Sequence, residues 1–407
     1  MKAYKFIMTM LVLSLCFKGI AQSKEGIGKK IIIGEIDSLY SDILKEYRHV
    51  WMLKPNNFDA TKKYPVIYVL DGSKNFSTIV GMMKHLAPFN IPESIIVGIT
   101  NTDRTRDFTP TNVKFQRGRN SETSGGANNF VKFLDNELKP FINSKYPTEN
   151  NNTIIGHSSG GLLVLYAFLN HENVFDNYLA IDPSLWWDKE QLVKMASDQI
   201  RKGNRKEKSL YIAVANSLGK AMDTVKVRKD RSVSTEQIRA NLKFHDILVD
   251  YDEKLNFIWE YYENEDHGSI VVPAQYNGLR SVFSWFPFHE MWRFNIPKKY
   301  SAKQLTEPYY KHYGKLSKRL KRKVKPDWQL INDVGSYLLE GHKLHEKALA
   351  FFEMNLDFYP EQSKSYVTLG NYYALQKEKA IAIEYYKKAI EIDGNLAAQA
   401  KLSKLKE

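Results

Sequence analysis

The chain has 407 residues, 43% of them hydrophobic and 26% charged, with a single cysteine and a net charge of 59 − 46 = +13. That length suits one large domain plus a small one, and the composition excludes disorder, a collagen-like fibre and a polytopic membrane protein. Cys16 alone cannot build a disulfide framework, a paired-thiol redox motif or a thiolate zinc site.

Met1–Lys5 is a short basic region, Phe6–Phe17 is apolar, and Gly19-Ile20-Ala21 offers small residues before Gln22. This is the pattern of a cleavable signal peptide, cut after Ala21, and it is too short to span a bilayer. Leu15 occupies the position before Cys16 where a lipoprotein signal carries a small residue. The expectation is a secreted or periplasmic protein without stable membrane insertion.

Lys30–Ile36 and Arg48–Leu53 read as the opening strands. Tyr64–Leu70 and Ser94–Thr100 are short apolar, β-branched runs of the kind found in buried strands. Residues 130–146 carry apolar side chains at helical spacing. Further strands are expected at Asn152–Ile155, Tyr178–Ile181, Leu210–Ala215 and Phe257–Tyr261, separated by helical stretches. Such alternation predicts an α/β fold, a doubly wound and mainly parallel sheet. Ligands on such sheets bind beyond the carboxyl ends of the strands.

One of those ends carries Gly156-His157-Ser158-Ser159-Gly160. A strand precedes it and an apolar helical run follows, which is the setting of a nucleophile elbow. The two glycines are expected to avoid a Cβ clash in the turn. Ser158 would be the nucleophile, and the N–H of Ser159, at the helix start, would face a forming oxyanion. A serine hydroxyl needs a base. Most of the ten histidines fail on position. His267, in the turn Asn264–Ser269 after the strand Phe257–Tyr261, stands where a base belongs. His289, set among aromatics, is a weaker competitor.

Tyr64–Gly72, Asn101–Thr111, Ser124–Ala127, the elbow, Asp182–Trp187 (DPSLWW) and Glu265–Ser269 stand in an order that resembles a family of α/β-hydrolase esterases. That family is related to esterase D and to the enterochelin (siderophore) esterases, and the likeness runs from about Lys30 to Phe286. The resemblance implies Ser158 as nucleophile, His267 as base and the N–H groups of Gly72 and Ser159 as oxyanion hole. It also implies that Arg106, Trp186 and Trp187 line the substrate cleft, with no metal and no organic cofactor. The triad acid is where this sequence departs. After Leu210–Ala215 come Asn216-Ser217, leaving Asp223, Asp252, Glu265, Asp266 or no carboxylate at all.

Between Lys298 and Lys325 stand eleven Lys/Arg against Glu307 alone, a local charge of +10. Residues 309–324 read as an amphipathic helix whose lysines form a solvated face, with no nucleic-acid partner implied. Beyond it, Ala348, Phe352 and Pro360 recur 34 residues later as Ala382, Tyr386 and Gly394, which resembles tetratricopeptide repeats. The expected organisation is a signal over 1–21, an esterase domain over 22–290, a basic linker over 291–328 and repeats over 329–407. The expected function is hydrolysis of a small-molecule carboxylic ester through an acyl-enzyme. The alternatives are acyl transfer at the same site, or a catalytically silent scaffold whose repeats recruit a protein partner.

Overall fold

The structure, a computed structural model, describes residues 30–56, 58–219, 222–251 and 255–406. The signal expected over 1–21 and the acid candidate Asp252 therefore lie outside the described residues. Two units part at Gly34/Glu35. Of the first, residues 30–34 carry no regular secondary structure. The second, Glu35–Glu407, holds every strand and helix found among the described residues.

Eight strands form one sheet: β1 (Glu35–Ser41), β2 (Glu46–Leu53), β3 (Tyr64–Val69), β4 (Ile95–Ile99), β5 (Thr148–His157), β6 (Asn177–Ile181), β7 (Ser209–Ala215) and β8 (Asn256–Tyr262). Their spatial order is β1-β2-β4-β3-β5-β6-β7-β8. β1 and β2 run antiparallel to their neighbours, and all other pairs are parallel. The first strand starts at Glu35 rather than Lys30. Glu35 already pairs with Met52, and β2 ends one residue later, so earlier residues have no partner strand.

The central strands are apolar on both faces because both faces are covered. In β3, Val66 and Tyr68 join one buried cluster while Ile67 and Val69 join the other. β7 alternates in the same way, Leu210, Ile212 and Val214 against Tyr211, Ala213 and Ala215. With both faces buried, register is fixed, and the carboxyl ends of β3, β5, β6 and β8 are brought to one edge of the sheet. The helical stretch expected over 130–146 is observed as Ala127–Phe133 and Lys139–Lys145, joined by a π-helical turn at Leu134–Leu138.

The C-terminal part is all helical. Helix Ala302–Arg319 starts earlier than the apolar stripe suggests, because Ser301 and Gln304 form a capping box. It ends at Arg319, with Leu320 and Val324 beyond it. Leu305, Tyr309 and Leu316 are buried, and Leu305 and Tyr309 share a third core with Phe294, Phe351 and Leu369. Helices Trp328–Ser336, His345–Phe358, Ser363–Leu375, Lys379–Asp393 and Leu396–Lys406 follow. The recurring residues Ala348/Ala382 and Phe352/Tyr386 are buried in both copies. Arg322 Nε donates to Glu149 Oε2 at 2.8 Å, joining this part to the start of β5. No helix among the described residues is long and apolar enough to cross a membrane.

Candidate active site

β5 ends at His157, and the chain turns sharply into helix Ser159–Asn170. Ser158 bears the turn with φ 60° and ψ −119°, a strained conformation for an L-residue. A Cβ on Gly156 would sit 2.3 Å from the carbonyl oxygen of Gly160, so only glycine fits there. Gly160 is different: its Cβ would meet nothing closer than 3.6 Å. The expectation that both glycines avoid a clash therefore holds for Gly156 alone.

The serine hydroxyl meets the histidine selected from the sequence. His267 Nε2 lies 3.1 Å from Ser158 Oγ. Behind it, His267 Nδ1 lies 2.5 Å from Asp182 Oδ2. An ionised carboxylate can only accept, so Nδ1 carries the proton and Nε2 offers a lone pair to the serine. Asp182 follows β6 directly, at φ 38°, and is only 3% exposed. Ser184 Oγ stands 3.2 Å from Ser158 Oγ.

Asp182 is not among the four carboxylates that the sequence offers as candidates. It sits in the DPSLWW segment, one strand before the loop where an acid is expected. Asp223 accepts from the N–H groups of Val225 and Lys226 in its own exposed turn. Asp266 accepts from Gly268 and Ser269 N–H and so shapes the histidine loop. Glu265 offers its carbonyl to Asn216 N–H. His289 opens a short helix at His289–Asn295, in the segment that leads to the third core.

His157 reinforces the arrangement. Its ring lies 4.5 Å from that of His267, and its Nε2 donates to the His267 carbonyl at 2.8 Å. Burial, then the positive charge that His267 can carry, lowers its pKa to about 4. His157 is thus held neutral at neutral pH.

Gly72 and Ser159 each open a helix, Gly72–Leu86 and Ser159–Asn170. Their N–H groups belong to first turns and have no intrahelical acceptor. A cleft of about 350 Å³ adjoins Ser158, lined by Asp71, Ser73, Lys74, Asn75, Asn101, Arg104 and His157. No hydrocarbon side chain is among them. Arg104 is fixed by a forked pair with Asp71 at 2.7 and 3.0 Å and by the His157 carbonyl at 3.1 Å.

Arg106, expected in the cleft, is placed elsewhere. Its guanidinium is engaged by Glu46 at 2.7 Å and Asp107 at 2.8 Å, beside the fully buried Arg48. Burial would push Glu46 up, but hydrogen bonds from Arg106, Thr102 and Arg48 outweigh it and hold it at about 2. Trp187 is buried and donates to Thr111 Oγ1 at 3.1 Å. Trp186 is half-buried under the guanidinium of Arg117, 3.6 Å from its ring, and donates to Gln237 Oε1. Neither indole lines the cleft beside Ser158. Among the described residues no group of three or more His, Cys, Asp or Glu side chains is placed to hold a metal ion.

Comparison with known proteins bears on this site. The family described as "Putative esterase" matches residues 41–251. The ferri-bacillibactin esterase of Bacillus subtilis (strain 168) is 29% identical over 184 residues, covering 41% of this chain and 64% of that protein, a little under two thirds of its length. The siderophore triacetylfusarinine C esterase of Aspergillus fumigatus is 26% identical over 249 residues, 56% of this chain and 84% of that one. A crystal structure of an IroE-like serine hydrolase from Shewanella oneidensis superposes with a TM-score of 0.63 at 31% identity, covering 80% of this chain and 99% of that one.

Proposed function

Because the chain belongs to this esterase family, we propose that it is a serine hydrolase cleaving carboxylic esters through an acyl-enzyme. The observation that carries the reading is the unbroken line Ser158 Oγ, His267, Asp182, with contacts of 3.1 and 2.5 Å. Ser158 Oγ attacks the ester carbonyl carbon while its proton passes to His267 Nε2. Asp182 stabilises the imidazolium so formed. The oxyanion is received by the N–H groups of Gly72 and Ser159. Collapse breaks the ester C–O bond, and the departing alkoxide takes the proton from His267. Water, deprotonated by the same nitrogen, then attacks the acyl-enzyme carbonyl; the C–Oγ bond breaks, Ser158 Oγ takes the proton back from His267, and the acid leaves.

The all-polar cleft beside Ser158 and the names of the relatives point to a polar, multiply functionalised ester such as a siderophore, rather than a fatty ester. Export through the N-terminal signal, an esterase domain ending near residue 290 and tetratricopeptide-like repeats after 329 complete the reading. The scaffold alternative rested on a missing acid, and Asp182 removes that reason for it.

The test is a substrate panel of p-nitrophenyl acetate, p-nitrophenyl palmitate and a cyclic siderophore lactone, with products identified by mass. Cleavage of the lactone and acetate but not the palmitate is expected. Preferential cleavage of the palmitate would overturn the polar-substrate reading, and no turnover of any ester would overturn the reaction.

A further inference from the structure

A carboxylate as buried as Asp182 needs several donors to remain charged. The backbone N–H of Ala215 donates to Oδ1 at 3.2 Å. Oδ2 receives His267 Nδ1 and also Gln237 Nε2, each at 2.5 Å. Gln237 is the second residue of helix Glu236–Val249, and its Nε2 donates to the Asp182 carbonyl as well, at 3.1 Å. Both amide hydrogens are therefore committed to Asp182. Nε2 also lies 3.1 Å from His267 Nδ1. With no hydrogen left to offer there, it leaves Nδ1 to keep its own proton for Asp182.

A glutamine amide fits its site almost equally well either way round, so something must choose. Here Trp186 does. Indole Nε1 can only donate, and it stands 3.0 Å from Gln237 Oε1. That fixes the oxygen outward and the NH₂ on Asp182.

We propose that Gln237, its amide oriented by Trp186, is the positioning residue that keeps Asp182 aimed at His267 Nδ1 in the hydrolysis proposed above. It touches neither the serine nor the cleft and acts through Asp182 and beside the Nδ1 of His267. The proposal rests on the Ser158–His267 reading.

Gln237→Met keeps the bulk and loses the donor. On p-nitrophenyl acetate it should lower kcat by roughly 10- to 100-fold, the scale of one hydrogen bond to a charged group, with KM moved less than about threefold. Gln237→Glu keeps the shape and sets a second carboxylate beside Asp182. The other ionisable groups facing His267 are Asp182, His157 and Asp266, and none is altered. The added negative charge favours the imidazolium, so the acid limb of kcat/KM should move up by about one pH unit. Trp186→Phe should lower kcat less than Gln237→Met does, because the amide is then free to turn.

Ser158→Ala is measured alongside. If it keeps wild-type turnover, the hydrolase reading falls and this proposal falls with it. If Ser158→Ala is dead while Gln237→Met keeps wild-type kcat and Gln237→Glu leaves the acid limb unmoved, only the role of Gln237 is overturned.

Discussion

Neighbouring strands β6 and β7 end in loops that serve His267 in different ways. After β6, Asp182 places a buried carboxylate on the imidazole. After β7, where an acid is expected in such a sheet, Asn216 never reaches the ring. Its N–H donates to the carbonyls of Tyr262 and Glu265 at 3.1 and 2.9 Å. Its Nδ2 donates to the Glu263 carbonyl at 2.8 Å, and its Oδ1 accepts from Leu218 N–H at 3.0 Å. One loop supplies charge and the other fastens the backbone that carries the histidine. Charge is needed only where a positive imidazolium develops. A neutral amide is the better tether, because it both donates and accepts without the desolvation penalty of an ion.

The most severe loss is expected at the nucleophile itself. Ser158→Ala should lower kcat on p-nitrophenyl acetate by about 10⁶-fold, the scale seen when a serine-hydrolase nucleophile is removed. Fluorophosphonate labelling should vanish while the circular dichroism is retained. Equal labelling of mutant and wild type would remove Ser158 from the chemistry.

Asn216→Ala sharpens the contrast between the loops. Losing two side-chain hydrogen bonds from a partly exposed tether should cost about 1–2 kcal/mol of stability and about tenfold in kcat/KM. A loss as large as that of a triad member would mean that the β7 loop does more than hold the backbone. Asp223→Asn should be smaller still, within about twofold of wild type by the same assay, because its contacts are confined to its own exposed turn. A tenfold loss there would reopen the search after β7.

A separate expectation concerns acid stability. Folded His157 resists protonation down to about pH 4, whereas the unfolded residue takes a proton near 6.5. As pH falls through that window, the unfolded state binds the extra proton and stability declines. His157→Asn should flatten this part of the slope, measured as urea midpoints at pH 7 and pH 4.5. Parallel slopes in mutant and wild type would show that His157 contributes nothing to it.

Much of this candidate site was legible in the sequence. Ser158 could be found because the elbow needs Gly156 in a fixed local pattern, and His267 because it closes the loop after the last strand. Asp182 was not legible, although its segment was recognised. An Asp-Pro pair directly after a strand looks like an ordinary turn. Only the φ of 38° and a partner 85 residues away give it another meaning. Arg104 and Arg106 illustrate the same limit. Two residues apart on the short helix Arg104–Phe108, they point to different surroundings, and no periodicity says which one meets the cleft. Trp186 and Trp187 are consecutive, and no pattern in the sequence separates the buried Trp187 from the partly exposed Trp186. The fold was more transparent, since short, β-branched apolar runs such as Tyr64–Leu70 suit a strand covered on both faces.

The rest of the site depends on the carboxylate serving His267 coming from the loop after β6. That origin is tested most directly by kcat/KM of Asp182→Asn on p-nitrophenyl acetate at neutral pH, with folding verified by circular dichroism. In a serine protease the same replacement lowers turnover about 10⁴-fold, through the wrong imidazole tautomer. A fall of about 10³- to 10⁴-fold is predicted here. A folded Asp182→Asn enzyme within tenfold of wild type would contradict that origin and leave Ser158 and His267 working without a carboxylate.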